Sequence, residues 1–346
     1  MERGHYTLKE IGRQKEGIRQ TLGYFEGFDK TMGEIKSEGF NKIIFLGCGT
    51  SYFLAASASA YFNRFNEIPA IHLASYEFLK NTEYYVKKGE KVLLVPFTRV
   101  ASTSETMNAV KKGVSMENVK SLQITCDDFS KTYSTWSFYL PGMFENSIVM
   151  TLSFTVMLYT AMYFAAKFAG NEKVLEELKK LPDDVDANIA NFESEMKAFA
   201  EEEASSKLLI GLGSGEFYGL AGESTIKVKE MSLEPSEVYY SLEYRHGPIS
   251  IADKNAVIAY FVSKNTAEDD LRLIKELKAL GAKVVALGSV TEEIKAVADH
   301  SFSSKLCECA ALPEYIIPMQ YFGAYLSIAR GYNPDEPKNL TKAIIL

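Results

Sequence analysis

The chain of 346 residues is poor in cysteine, with four: Cys48, Cys126, Cys307 and Cys309. Their spacing gives no disulfide framework, and Cys307-Glu308-Cys309 is too tight for a zinc knuckle and has no second ligand pair, which argues against a metal site. A reducing cytoplasm is the natural setting for such a chain. Excess positive charge is also missing. The formal net charge of −7 argues against nucleic acid or an anionic membrane surface as a partner. The opening MERGHYTLKEIGRQ is polar and mixed in charge, unlike a signal peptide. No apolar run is long and unbroken. The most apolar stretch, 148–170, is interrupted by Thr, Ser, Tyr and Lys167, which predicts a buried helix rather than a membrane span.

What is present is an ample core, with 47% hydrophobic and 24% charged residues, on a length that suits two domains. Residues 7–25 read as a polar helix. Short apolar strands then alternate with helices: Lys42–Gly47 breaking into a Gly-Cys-Gly-Thr-Ser turn, then strands at 70–75, 91–97, 121–126 and 137–140. Residues 171–206 are acidic and helical, with Pro182 at a break. The pattern restarts with the strand and glycine turn of 207–219, and further strands follow at 256–263, 283–289 and 301–304. Continuous apolar strands separated by helices predict parallel sheets covered on both faces, in two copies of one αβα unit. The domains expected are a helical segment 1–30, a first α/β domain 31–170, a helical connection 171–205, a second α/β domain 206–332 and a tail 333–346.

The stretch Gly222–Pro248, GESTIKVKEMSLEPSEVYYSLEYRHGP, carries the densest chemistry. Glu223, Lys227 and Glu230 stand at i, i+4 and i+7 and so share one helical face. A carboxylate beside an ammonium, with His246 a short way on, is equipment for proton transfer; the same pattern also suits a solvated, salt-bridged helix ending in a turn. Gly47-Cys48-Gly49-Thr50-Ser51 closes a strand and opens a helix, so its amides and hydroxyls form a cradle for an anion such as phosphate. The hydroxyl-rich loop Thr98–Ser104 after another strand of the same sheet adds to it, and Arg99 adds a positive charge. The second glycine turn, Gly211–Gly215, has Glu216 beside it and is not expected to bind an anion; as a lone glycine turn it implies no nucleotide.

Together these segments resemble the SIS (sugar isomerase) double-domain family, and within it the isomerase half of glucosamine-6-phosphate synthase and the stand-alone hexosamine-6-phosphate deaminases and isomerases. The likeness runs from Tyr6-TLKEI-Ile11 through Cys48–Ser51, Glu145–Thr155 and Gly222–Pro248 to the C-terminal Asn339-Leu-Thr-Lys342. The resemblance implies a cofactor-free reaction that moves a proton between C1 and C2 of an open-chain amino-sugar phosphate. It implies Glu230 as the base, Lys227 beside it, and His246 opening the ring from the neighbouring subunit of a homodimer. It further implies Lys342 on the sugar carbonyl; Cys48, Gly49, Thr50, Ser51, Thr98, Arg99, Val100 and Thr103 around the substrate; and Glu145, Ile148 and Glu223 completing the site.

The chemistry fits the residue types, since a carbon acid next to a carbonyl needs a positioned carboxylate, and ring opening needs a group that titrates near neutrality. The usual phosphate loop of the family, Ser-x-Ser-Gly-Glu-Thr, is changed here to Thr98-Arg-Val-Ala-Ser-Thr103: Val100 removes a hydroxyl, Ala101 a glycine and Ser102 an acid. Leu152 stands where the synthase has lysine. With no glutamine-hydrolysing domain ahead of Tyr6, deamination or aldose–ketose isomerisation is expected rather than synthesis. A deglycase acting on a sugar phosphate–amine conjugate and a non-catalytic sugar-phosphate sensor are the alternatives.

Overall fold

The computed structural model describes residues 2–127 and 133–345. It holds two parallel five-stranded sheets flanked by helices, the α/β architecture expected. By contact the chain divides into two compact units, one of Met1–Lys15, Asn146–Thr151 and Lys180–Leu340, the other of Glu16–Glu145, Leu152–Lys179 and Thr341–Leu346.

The second of these carries β1 (Lys42–Gly47), β2 (Ala70–Ala74), β3 (Val92–Thr98), β4 (Val119–Thr125) and β5 (Trp136–Tyr139), in the order β2-β1-β3-β4-β5. The β1–β5 unit shows why β1 is apolar throughout. Successive side chains point to opposite faces of a sheet, and here both faces are covered. Ile44 and Leu46 join Phe78, Leu94 and Ala109 on one side. On the other, Phe45 stacks on Phe97 with centroids 5.9 Å apart and meets Phe164 of the helix Leu152–Ala169 edge-on. By length and apolarity that helix is able to cross a membrane, but 83% of it is buried inside the protein, as its interruptions suggested.

The β6–β10 unit repeats the plan with β6 (Leu208–Leu212), β7 (Ser236–Tyr239), β8 (Ala256–Val262), β9 (Lys283–Gly288) and β10 (His300–Phe302), ordered β10-β9-β8-β6-β7. Counted from each unit's own first strand, the two orders are identical. Both sheets therefore reverse direction beside their first strand, between β1 and β3 and between β6 and β8, and such crevices are where open α/β sheets bind ligands. Each first strand also packs its helix closely. A Cβ on Gly47 would sit 2.1 Å from the Ser51 carbonyl oxygen, and one on Gly211 would sit 2.4 Å from that of Ala221. Only glycine permits both approaches.

Three sequence expectations differ from the structure. Residues 7–25 are not one helix but two, His5–Gly12 and Gln14–Leu22, followed by a third over Phe25–Ser37; the first break falls at Arg13, just after Gly12, a weak helix former. The strand β7 is hidden inside the stretch read as helix and turn, because SEVY is short and half polar. Cys307 and Cys309 are joined in a disulfide, a pair that the spacing did not suggest. A ring this short closes little chain and removes little entropy from the unfolded state.

Within the β6–β10 unit, Glu314 is buried on the helix Glu308–Tyr315, where Asn188 Nδ2 donates to its Oε1 at 2.6 Å. Burial pushes its carboxyl from an ordinary 4.5 up to about 8, and neighbouring Asp184 adds to the effect. The folded state then keeps a proton that the unfolded chain releases. Stability therefore falls as pH rises from the ordinary carboxylate range to about 8, and is level above it. Urea melts across this window are expected to show Glu314→Gln gaining on the parent by a few kcal/mol (order of magnitude) at the alkaline end. Parallel curves for the two proteins would remove Glu314 from this role.

Candidate functional site

In the β6–β10 unit the strand β6 leads through Gly213–Gly215 into the helix Phe217–Ser232. This helix places Glu223, Lys227 and Glu230 on one face. Lys227 is fully buried and its Nζ lies 2.6 Å from Glu230 Oε2 and 3.7 Å from Glu223 Oε1. Glu223 is buried as well, while the Glu230 side chain keeps 21% of its surface. The solvated helix face is therefore not what forms. The arrangement aims one carboxylate outward and holds it from behind with an ammonium that water does not reach. An ion pair at this depth costs desolvation of both partners, so it is a means of positioning more than of stabilising.

The helix ends at Leu233, and β7 and the 3₁₀ turn Leu242–Arg245 follow. His246 comes next, exposed, with its amide bonded to the Glu243 carbonyl. Gly247, with φ at +115°, turns the chain into a second 3₁₀ turn, Pro248–Ile251. At the start of the same unit, Glu10 is buried on the helix His5–Gly12, and its carboxylate accepts from the amides of Asn146 and Ser147 and, at 2.6 Å, from the Ser147 hydroxyl. It thereby fixes the segment that contains the half-buried Ile148. Sequence reasoning left Glu10 unassigned, and nothing in its helical spacing distinguishes it from a surface carboxylate.

In the β1–β5 unit, β1 and β3 are hydrogen-bonded neighbours, so the turn Cys48–Ser51 and the loop after Thr98 leave the same sheet edge. Thr50 and Ser51 are buried in the first turn of the helix Thr50–Phe65. Within the β3 loop the Thr98 hydroxyl donates to the Val100 carbonyl at 2.6 Å, and the Ser102 amide donates to the same oxygen at 2.7 Å. Thr103 precedes the helix Ser104–Val114.

Charges in this loop are paired. Arg99 Nη1 lies 3.3 Å from Glu145 Oε2, both side chains being buried, and Ser153 also donates to the Glu145 carboxylate. Lys342 Nζ donates to the Glu145 carbonyl at 2.7 Å and sits 4.6 Å from the Phe144 ring centroid. The Ala101 amide donates to Asp127 Oδ2 at 3.2 Å. Arg99 thus meets a carboxylate and Lys342 a carbonyl, while the carboxylate of Asp127 takes an amide of the loop. Within this unit the structure brings together Thr98, Arg99, Val100, Glu145 and Lys342, distant in sequence. It adds Asp127 and Ser153, which carry no motif that would have flagged them.

A family model for the SIS domain matches residues 38–167 and 204–305. Among curated proteins, a glutamine–fructose-6-phosphate aminotransferase (isomerizing) of Methanothermobacter thermautotrophicus is 24% identical over 98% of this chain and 57% of its own length. The corresponding protein of Thermococcus kodakarensis is 27% identical over 98% of this chain and 58% of its own length. The chain thus spans a little over half the length of these relatives. Among solved structures, a glucosamine-6-phosphate deaminase from Thermotoga maritima is 29% identical with a TM-score of 0.77, covering 99% of this chain and all of the other. The C-terminal domain of glucosamine-fructose-6-phosphate aminotransferase from Francisella tularensis shares the fold, with a TM-score of 0.86 at 24% identity and coverage of 96% and 98%.

Replacing Lys227 by methionine leaves Glu223 buried without its counter-ion. Lys227→Met is expected to lose about 3–5 kcal/mol in urea denaturation, and adding Glu223→Gln is expected to recover a large part of it. A loss below about 1 kcal/mol would mean that water reaches the triad.

Proposed function

The chain belongs to the SIS domain family, and on that footing we propose that it is an enzyme that isomerises or deaminates an amino-sugar 6-phosphate by proton transfer, without a cofactor. One observation carries the proposal: Glu230 is the partly open carboxylate of an otherwise buried triad, held at 2.6 Å by Lys227. A base that removes a proton from carbon needs this fixed aim and access.

In this reading Glu230 takes the proton from the carbon next to the carbonyl of the open-chain sugar and returns it to the neighbouring carbon through an enediol or enolamine. Lys227 orients it, and Glu223 keeps Lys227 in place. His246 opens the ring, its exposure suiting a role at the site of a second subunit in a homodimer. Lys342 meets the carbonyl oxygen. Cys48, Gly49, Thr50 and Ser51, with Thr98, Arg99, Val100 and Thr103, surround the sugar phosphate, while Glu145 and Ile148 help enclose it. Where the carbon carries an amine, the proton transfer yields an imine that adds water and releases ammonia, which is deamination; where it carries a hydroxyl, the reaction is aldose–ketose exchange.

A second reading, a sugar-phosphate sensor without turnover, has one observation behind it. Arg99 is already paired with Glu145, and an amide of the loop is already given to Asp127. Turnover separates the two.

Incubation with glucosamine 6-phosphate in heavy water is expected to place deuterium on the sugar carbon skeleton and to release ammonia. Glu230→Gln is expected to lower kcat by about 10²–10⁴-fold with little change in KM. Binding without exchange across hexosamine and ketohexose 6-phosphates would favour the sensor, and exchange that survives Glu230→Gln would move the base elsewhere.

A further inference from the structure

In the β6–β10 unit, Cys307 caps the helix Glu308–Tyr315 in extended backbone, and Cys309 is the second residue of that helix. Their sulfurs are bonded across Glu308, with the Cα atoms 5.2 Å apart. Cys307 is exposed and Cys309 half-buried, so the bond meets solvent on the Cys307 side. A structural disulfide stabilises a fold by closing a long loop, and a ring across one intervening residue has almost nothing of that kind to give. An exposed bond with so little structural return belongs to the class that thiols open readily.

Glu308, between the two sulfurs, is buried. Its Oε2 accepts from the Lys264 amide at 2.6 Å and from the Ser289 hydroxyl at 2.8 Å. Lys264 lies just past β8 and Ser289 just past β9, so one carboxylate ties together the carboxyl ends of two neighbouring strands. The Ser289 amide, which donates to the Val262 carbonyl at 2.9 Å, closes the same junction. The sulfur bridge restricts the backbone on both sides of Glu308 and so fixes the direction of this carboxylate. With the bridge open, Glu308 is held only by the first turn of a helix, where amides lack partners within the helix. The two free cysteines, Cys48 and Cys126, belong to the other unit, and burial, with the Glu145 carboxylate, pushes the Cys126 thiol up and keeps it protonated.

We propose that Cys307 and Cys309 are a reversible thiol–disulfide site, exchanged by small thiols, whose oxidised form fixes Glu308 as the clamp between the ends of β8 and β9. The co-reactant is a low-molecular-weight thiol and its disulfide, of the glutathione kind. A thiolate attacks Cys307 Sγ, the Cys307–Cys309 bond breaks, and its electron pair leaves on Cys309 Sγ, which takes a proton from water. A second thiolate attacks the outer sulfur of the mixed disulfide and releases Cys307. The protein gains two electrons and two protons, and two small thiols become one disulfide. Neither Glu230 nor His246 enters this chemistry, so it holds whatever the substrate of the unit.

The test equilibrates the full chain in glutathione buffers from wholly reduced to wholly oxidised, quenches in acid, labels free thiols after denaturation and counts the labels by peptide mass spectrometry. The peptide with Cys307 and Cys309 is expected to pass from two labels to none in one step within that range, while Cys126 is labelled throughout. Hydrogen exchange then reads the clamp: the Lys264 amide is expected to exchange about tenfold or more faster in the reduced protein than in the oxidised one. In Glu308→Gln that ratio is expected to fall toward unity, and because it is taken within one variant, a general loosening cancels. The wild-type titration and exchange alone decide the matter where the variant does not fold. A pair that stays oxidised in excess reduced glutathione is a structural bond and overturns the proposal. So does a pair that stays reduced, or ends as a stable glutathione adduct, in excess of the disulfide. Equal Lys264 exchange in the two redox forms overturns it as well, since the hold on Glu308 is then independent of the bond.

Discussion

Lys227 holds a full positive charge in a place closed to water, and the β6–β10 unit depends on how that charge is answered. Alone, the ammonium would be too costly to bury; so would Glu223. The helix Phe217–Ser232 solves both by its period, which brings Glu223 and Glu230 to the same face as Lys227. The outcome is directional. Glu223 lies at the closed end, Glu230 at the partly open end, and the lysine between them turns helix geometry into the aim of one carboxylate. A reactive group placed this way inherits the rigidity of a packed helix, more exacting than a loop allows.

The β1–β5 unit uses the opposite device. Its polar groups are bonded to one another: Arg99 to the Glu145 carboxylate, the Lys342 ammonium to the Glu145 carbonyl, the Ala101 amide to Asp127. In the proposed reading recognition there falls to backbone amides and to hydroxyls such as those of Thr50 and Ser51, which would hold a phosphate by direction rather than by net charge. The replacement of glycine and serine by Ala101 and Val100 matters in this setting, because fewer groups remain to share the load.

Repetition of one strand order in both sheets ties the two devices to a common plan. In each unit the first strand ends in a glycine turn beside the reversal of the sheet, and the residues offered to a ligand follow from there. The strand end at Cys48 and Gly49 also lines an open pocket together with Tyr52, Phe53 and Tyr76.

Much of this was legible in the sequence. Apolar runs such as IIFLG and VVALG fixed strands buried on both faces, glycine marked where each first strand meets its helix, and the spacing of Glu223, Lys227 and Glu230 gave a shared face. These are local properties, set by the periods of strand and helix and by which residue tolerates a close approach. Three things needed the tertiary structure. Burial alone turned the charged face of the helix from a solvated one into an ion-paired triad, since spacing does not say which side a helix presents. The strand SEVY shows itself only by pairing with β6, because four half-polar residues have little preference of their own. The pairing of Arg99 with Glu145, and the claim of Asp127 on the Ala101 amide, join residues far apart in the chain, whose meeting is decided by how the sheet folds.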